Sequence, residues 1–345
     1  MKKLICLLLS MVFIFVFVGC TPDTTSTGTS DGSIVVRTAY SVGMMDENAT
    51  DICNFLQYCM DKVNAERDDI HFEKMVVFDA GNSVEKQISD LEAVATDKYD
   101  IVIVTEIDPQ GIVAGVEYCH ERGVKVIDLR GGLPTDNLAV HFSAFNEDEM
   151  GQYVKEGMRT YLEENPDVVL YTCLAYPAAA DVSCFGRMTG IEELAEEMPG
   201  RIEILAEGYG NWATEPTQKL AEDWIQAYPQ LNYIHCANDE EALGAINAVE
   251  AAGLSDKILV TGGNGAIPGT ELVVSGKMFL TVAQQKENMC SAMVDICVRL
   301  MLGEEIVGAD KKYDTSGIDL HKLITKENAQ EWLDYLIEVN KEFQF

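Results

Sequence analysis

The chain has 345 residues, of which 47% are hydrophobic and 24% are charged, so it is long enough for two α/β domains with buried cores. Its 57 Asp and Glu residues outnumber 25 Lys and Arg residues, which gives a formal net charge of -32. This charge argues against a nucleic-acid partner, because phosphates require a basic surface. It favours an exposed protein whose acidity keeps it soluble and apart from its own copies.

The first 20 residues have the layout of an export signal. Two lysines precede an apolar run at 4–18 that is too short and wrongly flanked for a stable membrane span. Phe-Val-Gly-Cys at 17–20 resembles a bacterial lipobox, which implies that Cys20 becomes the lipidated first residue on the extracytoplasmic face of the cell membrane. An ordinary secretory signal with an incidental cysteine is the alternative. Residues 21–33 are rich in Thr, Ser, Gly and Asp and predict a flexible tether.

Strand and helix patterns alternate from residue 34 onward. In the first third, apolar spacing predicts strands at 34–39, 72–78, 101–104 and 124–129 and helices at 51–66, 84–96 and 112–122. Further along, it predicts strands at 168–174, 202–207, 233–237, 258–261 and 278–283 and helices at 147–165, 187–198, 217–228, 287–302 and 326–343. A further helix is expected from Asn238 to a stop at Gly253. This alternation implies parallel sheets with right-handed crossovers.

No catalytic or cofactor motif is present. The chain contains no Gly-x-Ser-x-Gly, His-Glu-x-x-His or Walker loop, and its 5 His are scattered. Gly263-Asn264-Gly265 follows a strand as a dinucleotide loop does, but Pro268 stands where the third glycine belongs. No Cys/His pair has the spacing of a metal site. The sequence therefore predicts no enzyme activity, no cofactor and no metal.

The most informative stretch is the corner where the strand at 233–237 ends in Asn238 and Asp239 and a helix begins. Polar residues at the carboxyl end of a parallel strand face the ligand site of α/β proteins. The same residues also fit a helix cap, either Asn238 with Glu241 as a capping box or Asp239 alone. The residues by themselves leave both interpretations open.

The corner sequence Asn238-Asp-Glu-Glu-Ala-Leu-Gly-Ala resembles the corresponding segment of ribose-type, type I periplasmic solute-binding proteins. Matching segments in the same order are Asp79-Ala-Gly-Asn-Ser, Arg187-Met-Thr-Gly-Ile, Val260-Thr-Gly-Gly-Asn-Gly-Ala and Thr281-Val-Ala-Gln-Gln. The resemblance covers roughly residues 34–340 and implies an α/β fold of two Rossmann-like lobes, each a parallel sheet flanked by helices. It places the first lobe at 34–142 plus 285–317 and the second at 143–284 plus 318–345. Three crossovers, near 141–145, 283–285 and 318–321, would form the hinge.

The resemblance also implies a ligand site between the lobes. Asn238 and Gln284 stand where the family places hydrogen-bonding groups, and Trp212 stands at a position like that of its stacking aromatic. A core tryptophan is the alternative interpretation of Trp212. Met44 and Met45 replace aromatic residues of the first loop, where they can still pack against an apolar ligand face.

The charged positions depart from the family pattern. Arg130 replaces a sugar-binding Asp, Phe185 replaces a second ligand-binding Arg, and Asn264 replaces a second Asp. A guanidinium offers only donors, so Arg130 in a closed cleft favours a hydrogen-bond acceptor or an anion. The alternative is that Arg130 pairs with a nearby acid such as Asp128 or Glu106.

With the leader, the resemblance implies an extracytoplasmic solute-binding lipoprotein of an ABC importer. It would bind a sugar or sugar-like molecule by hinge closure, without making or breaking a bond. Its expected partners are the solute, the permease with its ATPase, and the membrane through the lipid anchor. A ligand-sensing receptor of the same fold, which reports to a membrane kinase or chemoreceptor, is the alternative.

Overall fold

The computed structural model describes residues 32–45, 47–144, 146–179, 181 and 184–342. The predicted leader with Cys20, nearly all of the tether, and Phe145 of the first predicted crossover lie outside the described residues. None of the helices described combines the length and the hydropathy that a membrane span requires.

The first part of the chain forms a parallel sheet covered by helices on both faces. Its elements are, in order, β1 (Ile34–Val36), β2 (Thr38–Val42), α1 (Glu47–Glu66), β3 (Ile70–Phe72), β4 (Val76–Asp79), α2 (Val84–Thr96), β5 (Ile101–Thr105), α3 (Val113–Glu121), β6 (Lys125–Asp128) and β7 (Val140–His141). The five-stranded sheet has the order β4-β2-β5-β6-β7, and β1 pairs separately with β3. All of its ladders are parallel, as the apolar runs predict.

The second part of the chain forms a larger sheet. Its elements are α4 (Glu147–Glu164), β8 (Leu170–Tyr176), α5 (Gly186–Glu197), β9 (Ile202–Tyr209), α6 (Thr214–Ala227), β10 (Tyr233–Cys236), α7 (Asp239–Ala251), β11 (Leu259–Thr261), α8 (Ile267–Val274), β12 (Leu280–Gln284), α9 (Lys286–Met301), β13 (His321–Thr325) and α10 (Ala329–Glu342). The six-stranded order is β13-β12-β11-β10-β8-β9. Only β13 runs antiparallel to its neighbour, β12.

Each sheet is buried between two layers of helices. Helices α1 and α9 pack on one face of the first sheet and α2 and α3 on the other. Helices α4 and α5 pack on one face of the second sheet, and α6, α7, α8 and α10 pack on the other. We call these two assemblies the first and the second lobe.

The chain passes between the lobes more than once. Helix α9 follows β12 of the second sheet yet packs with α1 on the first lobe, and Lys312 then forms a bridge to His141 at the edge of the first sheet. Strand β13 returns to the second sheet beside β12. The division of the chain between the lobes, with boundaries at 142, 284 and 317, stays a prediction.

Candidate functional site

The carboxyl ends of the two sheets meet at Arg130. This residue follows β6 of the first lobe, and its Nη2 atom donates to the Cys184 sulfur of the second lobe over 3.2 Å. Ligands of open α/β sheets bind outside the carboxyl ends of the strands. The candidate site is therefore built from the loops that follow the strands of both sheets.

Arg130 lies in acidic surroundings but forms no ion pair with any residue that the structure describes. Burial alone lowers the pKa of its guanidinium, yet negative groups outweigh burial and raise it. The acids among them are Glu106, Glu147 and Asp181, and the Cys184 sulfur acts in the same direction. The guanidinium is thus held in the cleft by charges at a distance, and most of its donors have no acceptor in the described chain.

Asp128 positions the loop that carries Arg130. Its Oδ1 atom accepts from the backbone N–H groups of Arg130 and Gly131, at 3.2 and 2.9 Å. Its Oδ2 atom accepts from the backbone N–H of Leu133 at 2.9 Å and is hydrogen-bonded to His141 Nδ1 at 2.8 Å. The carboxylate is therefore fully used by the loop and by His141, and it is not a partner of the Arg130 side chain.

Glu106 is a buried acid beside Arg130. It follows β5, it is 5% exposed, and its Oε2 atom has no hydrogen-bond partner among the residues described. Burial, and then the neighbouring charge of Asp128, raise the pKa of Glu106 to about 7. Arg130 and His141 act in the opposite direction but do not cancel the effect. The cleft thus contains a carboxyl oxygen that lacks a donor.

Aromatic rings gather at the strand ends of the second lobe. Phe185 lies 5.1 Å from Tyr176 and 6.3 Å from Tyr209, measured between ring centroids. Tyr209 remains 48% exposed, although it ends a strand of the sheet. The three rings form an apolar surface, and Cys184, which directly precedes Phe185, contacts Arg130. Phe185 was predicted from the sequence, whereas the two tyrosines were not.

Trp212 is held between the aromatic surface and the Asn238 corner. Its indole N–H donates to Asp181 Oδ2 at 2.7 Å, and its backbone N–H donates to Glu241 Oε1 at 2.8 Å. Its φ of 60° is the left-handed conformation, which is uncommon for a bulky residue. The side chain is only partly buried, so Trp212 is not a residue of the deep core.

Arg187 lies under this surface and was missed as a site residue. It is fully engaged: Nε donates to Glu147 Oε2 at 2.5 Å, and Nη1 donates to the Ala237 carbonyl at 2.8 Å and to Asn264 Oδ1 at 2.9 Å. The guanidinium also lies 5.2 Å from the centre of the Trp212 ring. Its position in the first turn of the helix after β8 is the sequence signal that could have identified it.

Asn238 is the N-cap of α7, as the capping interpretation predicts. Its Oδ1 atom accepts from the Glu241 backbone N–H at 2.8 Å, and its Nδ2 atom makes a long contact of 3.4 Å to the Trp212 carbonyl. The Glu241 carboxylate, however, accepts from Ala237 N and Trp212 N instead of closing the box on Asn238 itself. Capping therefore occupies one side of the Asn238 amide and leaves the second N–H of Nδ2.

Asp239 and Glu241 are buried acids that tie loops together. Asp239 accepts from Thr281 Oγ1 at 2.6 Å and from Gly265 N at 2.8 Å, so it is not the helix cap. Burial raises the pKa of Asp239 to about 7 and that of Glu241 to about 8, despite the N–H groups that they accept from. Both carboxyl groups therefore hold the loops around Asn238 in place.

Asn264, in the loop after β11, lies beside Gln284, the last residue of β12. Gln284 N donates to the Asn264 carbonyl at 3.1 Å. Because the Asn264 Oδ1 atom faces Arg187, its amide NH₂ points away and has no acceptor among the described residues. Gln284 is 6% exposed, and its Oε1 atom is buried without a partner in the described chain. Both amides keep hydrogen-bonding capacity for a ligand.

Two shallow grooves open next to these amides, between the lobes. Asn264 lines both, together with Lys286 of the first lobe, and Gln284 lines one of them. Lys286 itself is paired with Asp51 at 2.5 Å. Arg130 and the aromatic residues do not line these grooves, so the predicted residues divide into a part near Arg130 and a part near Gln284.

Met44 and Met45 follow β2 in the first lobe. Met44 is 52% exposed, whereas Met45 is partly buried against the first-lobe core. The Met45 backbone N–H donates to Asp79 Oδ1 at 3.2 Å, which fixes the start of the loop. One methionine is therefore presented to solvent and the other supports it.

The comparisons with known proteins agree with this architecture. Residues 48–305 match a family model described as a periplasmic binding protein domain. The ribose import binding protein of Haemophilus influenzae is 25% identical over 233 residues, which are 68% of this chain and 77% of that protein. The xylitol-binding protein of Mycolicibacterium smegmatis is 23% identical over 76% of this chain and 72% of that protein.

Solved structures show the same fold. A solute-binding protein of an ABC transporter from Bacillus halodurans, with bound myo-inositol, superposes with a TM-score of 0.71 at 22% identity and covers 89% of this chain and 99% of its own. A D-allose complex from Actinobacillus succinogenes gives a TM-score of 0.70 at 22% identity, over 86% and 99% of the two chains. These similarities confirm the two-lobed, type I α/β fold. Since the family model spans more than half of the chain, the protein belongs to the periplasmic binding protein domain family, which is composed of substrate-binding proteins and not of enzymes.

Proposed function

We propose that the protein is the extracytoplasmic solute-binding lipoprotein of an ABC importer and that it binds a sugar or sugar-like molecule between its lobes. Hinge closure buries the ligand, and no bond is made or broken. The closed form then docks on a membrane permease whose ATPase lies inside the cell. The names of the relatives support this proposal, because ribose, xylitol and D-allose are small polyhydroxylated molecules.

The observation that carries the proposal is a pair of buried, unsatisfied polar atoms at strand ends, together with a cluster of aromatic rings at the strand ends of the second lobe. Glu106 Oε2 and Gln284 Oε1 are buried without partners in the described chain. A buried polar atom without a partner costs about 1–3 kcal/mol, so it is a place where a ligand donor is stabilising. Phe185 and its tyrosine neighbours supply the apolar face that the C–H surface of a sugar ring can contact.

We assign the hydrogen-bonding roles to the three amides. Asn238 uses the N–H that capping leaves, and Asn264 uses the amide NH₂ that faces away from Arg187. Gln284 accepts through Oε1. The three residues end consecutive strands of the second sheet, which places them along one edge of the ligand.

We assign packing and polarity to the remaining predicted residues. Trp212 and Phe185 pack against the ligand from the second lobe, and Met44 and Met45 cover it from the first lobe. Arg130 donates to an acceptor atom of the ligand, since its guanidinium has few acceptors of its own. Closure brings these two sets of residues together.

The lipid anchor is part of the proposal. Cys20 is its attachment residue, and it lies outside the described residues. Intact-mass analysis of the membrane fraction should find a diacylated or triacylated amino-terminal peptide beginning at Cys20. A Cys20→Ala variant that remains as firmly membrane-bound as the unchanged protein would exclude lipidation at this residue.

A thermal-shift screen tests ligand binding. Pentoses, hexoses, polyols, sugar acids and nucleosides are added singly to the purified protein. A ligand that binds only the folded state at 100 times its Kd stabilises it by about 2.7 kcal/mol, so a binding sugar should raise the Tm by several degrees. A shift produced by nucleosides alone, with none from sugars or polyols, would contradict the proposed class of ligand.

A further inference from the structure

We infer that Glu106 determines ligand specificity together with Arg130: the pair binds one hydroxyl group from both sides and discriminates against anionic ligands. This inference rests on the proposed function and deepens it. It assigns the site's carboxylate acceptor to the end of β5. The end of β6, where the resemblance places a carboxylate, carries Arg130 instead.

The Glu106 and Arg130 side chains are neighbours because they follow two adjacent strands of the first sheet. Strands β5 and β6 are parallel, and their last ladder pair is Val104 with Asp128. Glu106 and Arg130 each lie two residues beyond that pair, at the same carboxyl edge. The Leu129 backbone N–H still donates to the Val104 carbonyl at 3.0 Å, so the strands remain together up to this edge. An acceptor and a donor group therefore stand next to each other at the mouth of the first lobe.

Glu106 lacks the donors that a buried carboxylate needs. It is 5% exposed, its Oε2 atom has no partner in the described chain, and it forms no ion pair there. The nearby His141 is already hydrogen-bonded to Asp128. A carboxylate in this position is stabilised by any hydroxyl or ammonium donor that a ligand brings.

The charges around Arg130 oppose an anion. Glu106, Glu147 and Asp181 all act on its guanidinium, and Glu147 is itself neutralised by Arg187. A ligand carboxylate at Arg130 would bring another negative charge next to Glu106 and Asp181 at low local dielectric. It would also offer no proton to Glu106 Oε2, because an ionised carboxylate only accepts.

A hydroxyl group satisfies both side chains at once. Its oxygen accepts from the Arg130 guanidinium, and its proton is donated to Glu106 Oε2. The absence of a side chain at Gly132 keeps the space beside the Glu106 carboxyl open. A Cβ atom at Gly132 would crowd it, because it would lie 3.3 Å from Glu106 Oε1. The pair is thus matched to an uncharged polyol or sugar.

Calorimetric titration at pH 8, above the pKa of about 7 that burial gives Glu106, tests the inference on the purified protein. The neutral probes are D-ribose, D-allose, xylitol and myo-inositol, and the anionic probes are D-glucuronate and D-galacturonate. Each is titrated into the wild type, Glu106→Gln, Arg130→Met and the control Glu92→Gln. The control removes the same charge from an exposed position on α2. Glu106→Gln keeps the shape of the side chain but removes the charged acceptor.

We expect a neutral probe to bind most tightly to the wild type and the uronates to bind at least tenfold more weakly. Glu106→Gln should raise the Kd for the neutral probe about tenfold or more, since hydrogen bonds to charged groups contribute about 1.5–3 kcal/mol. It should also reduce the ratio between the Kd for the anionic probes and the Kd for the neutral probes. The control should bind as the wild type does.

Two results would overturn the inference: a uronate that binds the wild type most tightly, or an unchanged neutral-probe Kd in Glu106→Gln. If no probe binds any variant, the proposed function fails, and Glu106 is judged from the ligand-free protein. The unpartnered carboxylate then predicts that Glu106→Gln raises the Tm more at pH 8 than at pH 5.5. Equal Tm values for wild type and variant at both pH values would show that Glu106 is not an unsatisfied acid.

Discussion

The buried guanidinium of Arg187 organises the floor of the second lobe's cleft. It joins α5 to α4 through Glu147, to the end of β10 through the Ala237 carbonyl, and to the β11 loop through Asn264. In its ion pair with Glu147, the Arg187 side chain is 7% exposed and the Glu147 side chain is 10% exposed. Removing one member of a buried pair leaves the other charge without compensation, which is more harmful than removing both.

Arg187→Ala should therefore destabilise the fold by about 3–5 kcal/mol in urea-induced unfolding. Arg159→Ala is a matched control, because the Arg159–Glu197 pair joins the same two helices but is 35% and 44% exposed. We expect less than about 1 kcal/mol from the control. Equal losses for the two variants would mean that Arg187 has no special structural role.

Buried acids should make the ligand-free protein less stable as the pH rises. Burial raises the pKa of Glu106 and Asp239 to about 7 and that of Glu241 to about 8, from ordinary values of 4.5, 3.8 and 4.5. Between these values the folded chain holds protons that the unfolded chain has released, so folding is favoured at the lower pH. Exposed ion-paired acids such as Glu193 and Glu197 shift in the opposite direction, but solvent screens them.

Urea unfolding at pH 5, 6.5 and 8 measures this effect. We expect the free energy of unfolding to fall across the series and to level off above pH 8. Self-repulsion of a chain with a formal net charge of -32 acts in the same direction, and 0.5 M NaCl should suppress that part alone. A free energy of unfolding that rises with pH would mean that burial does not raise the pKa of these acids.

Some single residues of the candidate site could be predicted from the sequence. Asn238 could be predicted both as a cap and as a candidate contact, because capping residues and strand ends have local signals. Glu106, Tyr176 and Tyr209 could not, since a single Glu or Tyr in a chain rich in them carries no local signal. Their importance comes from which strand ends the sheet order brings together. That order is a property of the whole fold.

At the scale of elements, α4 and α5 are in backbone contact through two glycines. A Cβ atom on Gly190 would lie 1.9 Å from the Gly151 carbonyl oxygen, and one on Gly151 would lie 2.3 Å from the Gly186 carbonyl oxygen. Such separations are shorter than any non-bonded contact allows, and the neighbour is backbone, which cannot rotate away. The close approach places the Arg187 end of α5 against the Glu147 end of α4.

Gly190→Ala should therefore destabilise the protein by about 1–3 kcal/mol or more, although Ala has the higher helix propensity. Glu196→Ala, at an exposed position of the same helix, is the control and should change stability by less than about 0.5 kcal/mol. Both are measured by chemical denaturation. A Gly190→Ala variant as stable as the control would mean that the two helices are not in backbone contact.

Elements with strong local patterns were predictable. Helix α2 runs from Val84 to Thr96 as its apolar spacing predicts, and in the structure Ser83 caps its first turn. Strands β7 and β13 were missed, because β7 has two residues and β13 has a mixed pattern set by its antiparallel edge position beside β12. The helix predicted from residue 112 begins at Val113, after a turn in which Asp108 Oδ1 accepts from the Gln110 backbone N–H.

At the scale of the whole molecule, the chain links its lobes at residues that also bear on the site. Gln284 ends β12 and leads directly into α9 of the first lobe. It pairs in register with His321, where the chain returns to the second sheet. If the ligand binds Gln284 as we propose, it contacts one of the three crossovers predicted to form the hinge. The side-chain contact between Arg130 and Cys184 lies on the far side of the same cleft.

Ligand binding should compact the protein. Small-angle X-ray scattering with and without a saturating sugar should show a smaller radius of gyration in the complex, because closure removes the open cleft. Arg130→Met should reduce the change, since Arg130 is the side chain that spans the cleft in the described structure. A radius of gyration that is the same in both states, with binding verified in the same sample, would exclude closure.

The most direct test of the account is isothermal titration calorimetry of the purified protein, without its first 33 residues, against neutral sugars and polyols. We predict that at least one of them binds with one site per chain and a Kd in the micromolar range or below. We also predict a negative heat-capacity change, because apolar surface is buried as the lobes close. A complete set of pentoses, hexoses and polyols that produces no binding heat at millimolar concentration and several temperatures would contradict the assignment as a sugar-binding protein.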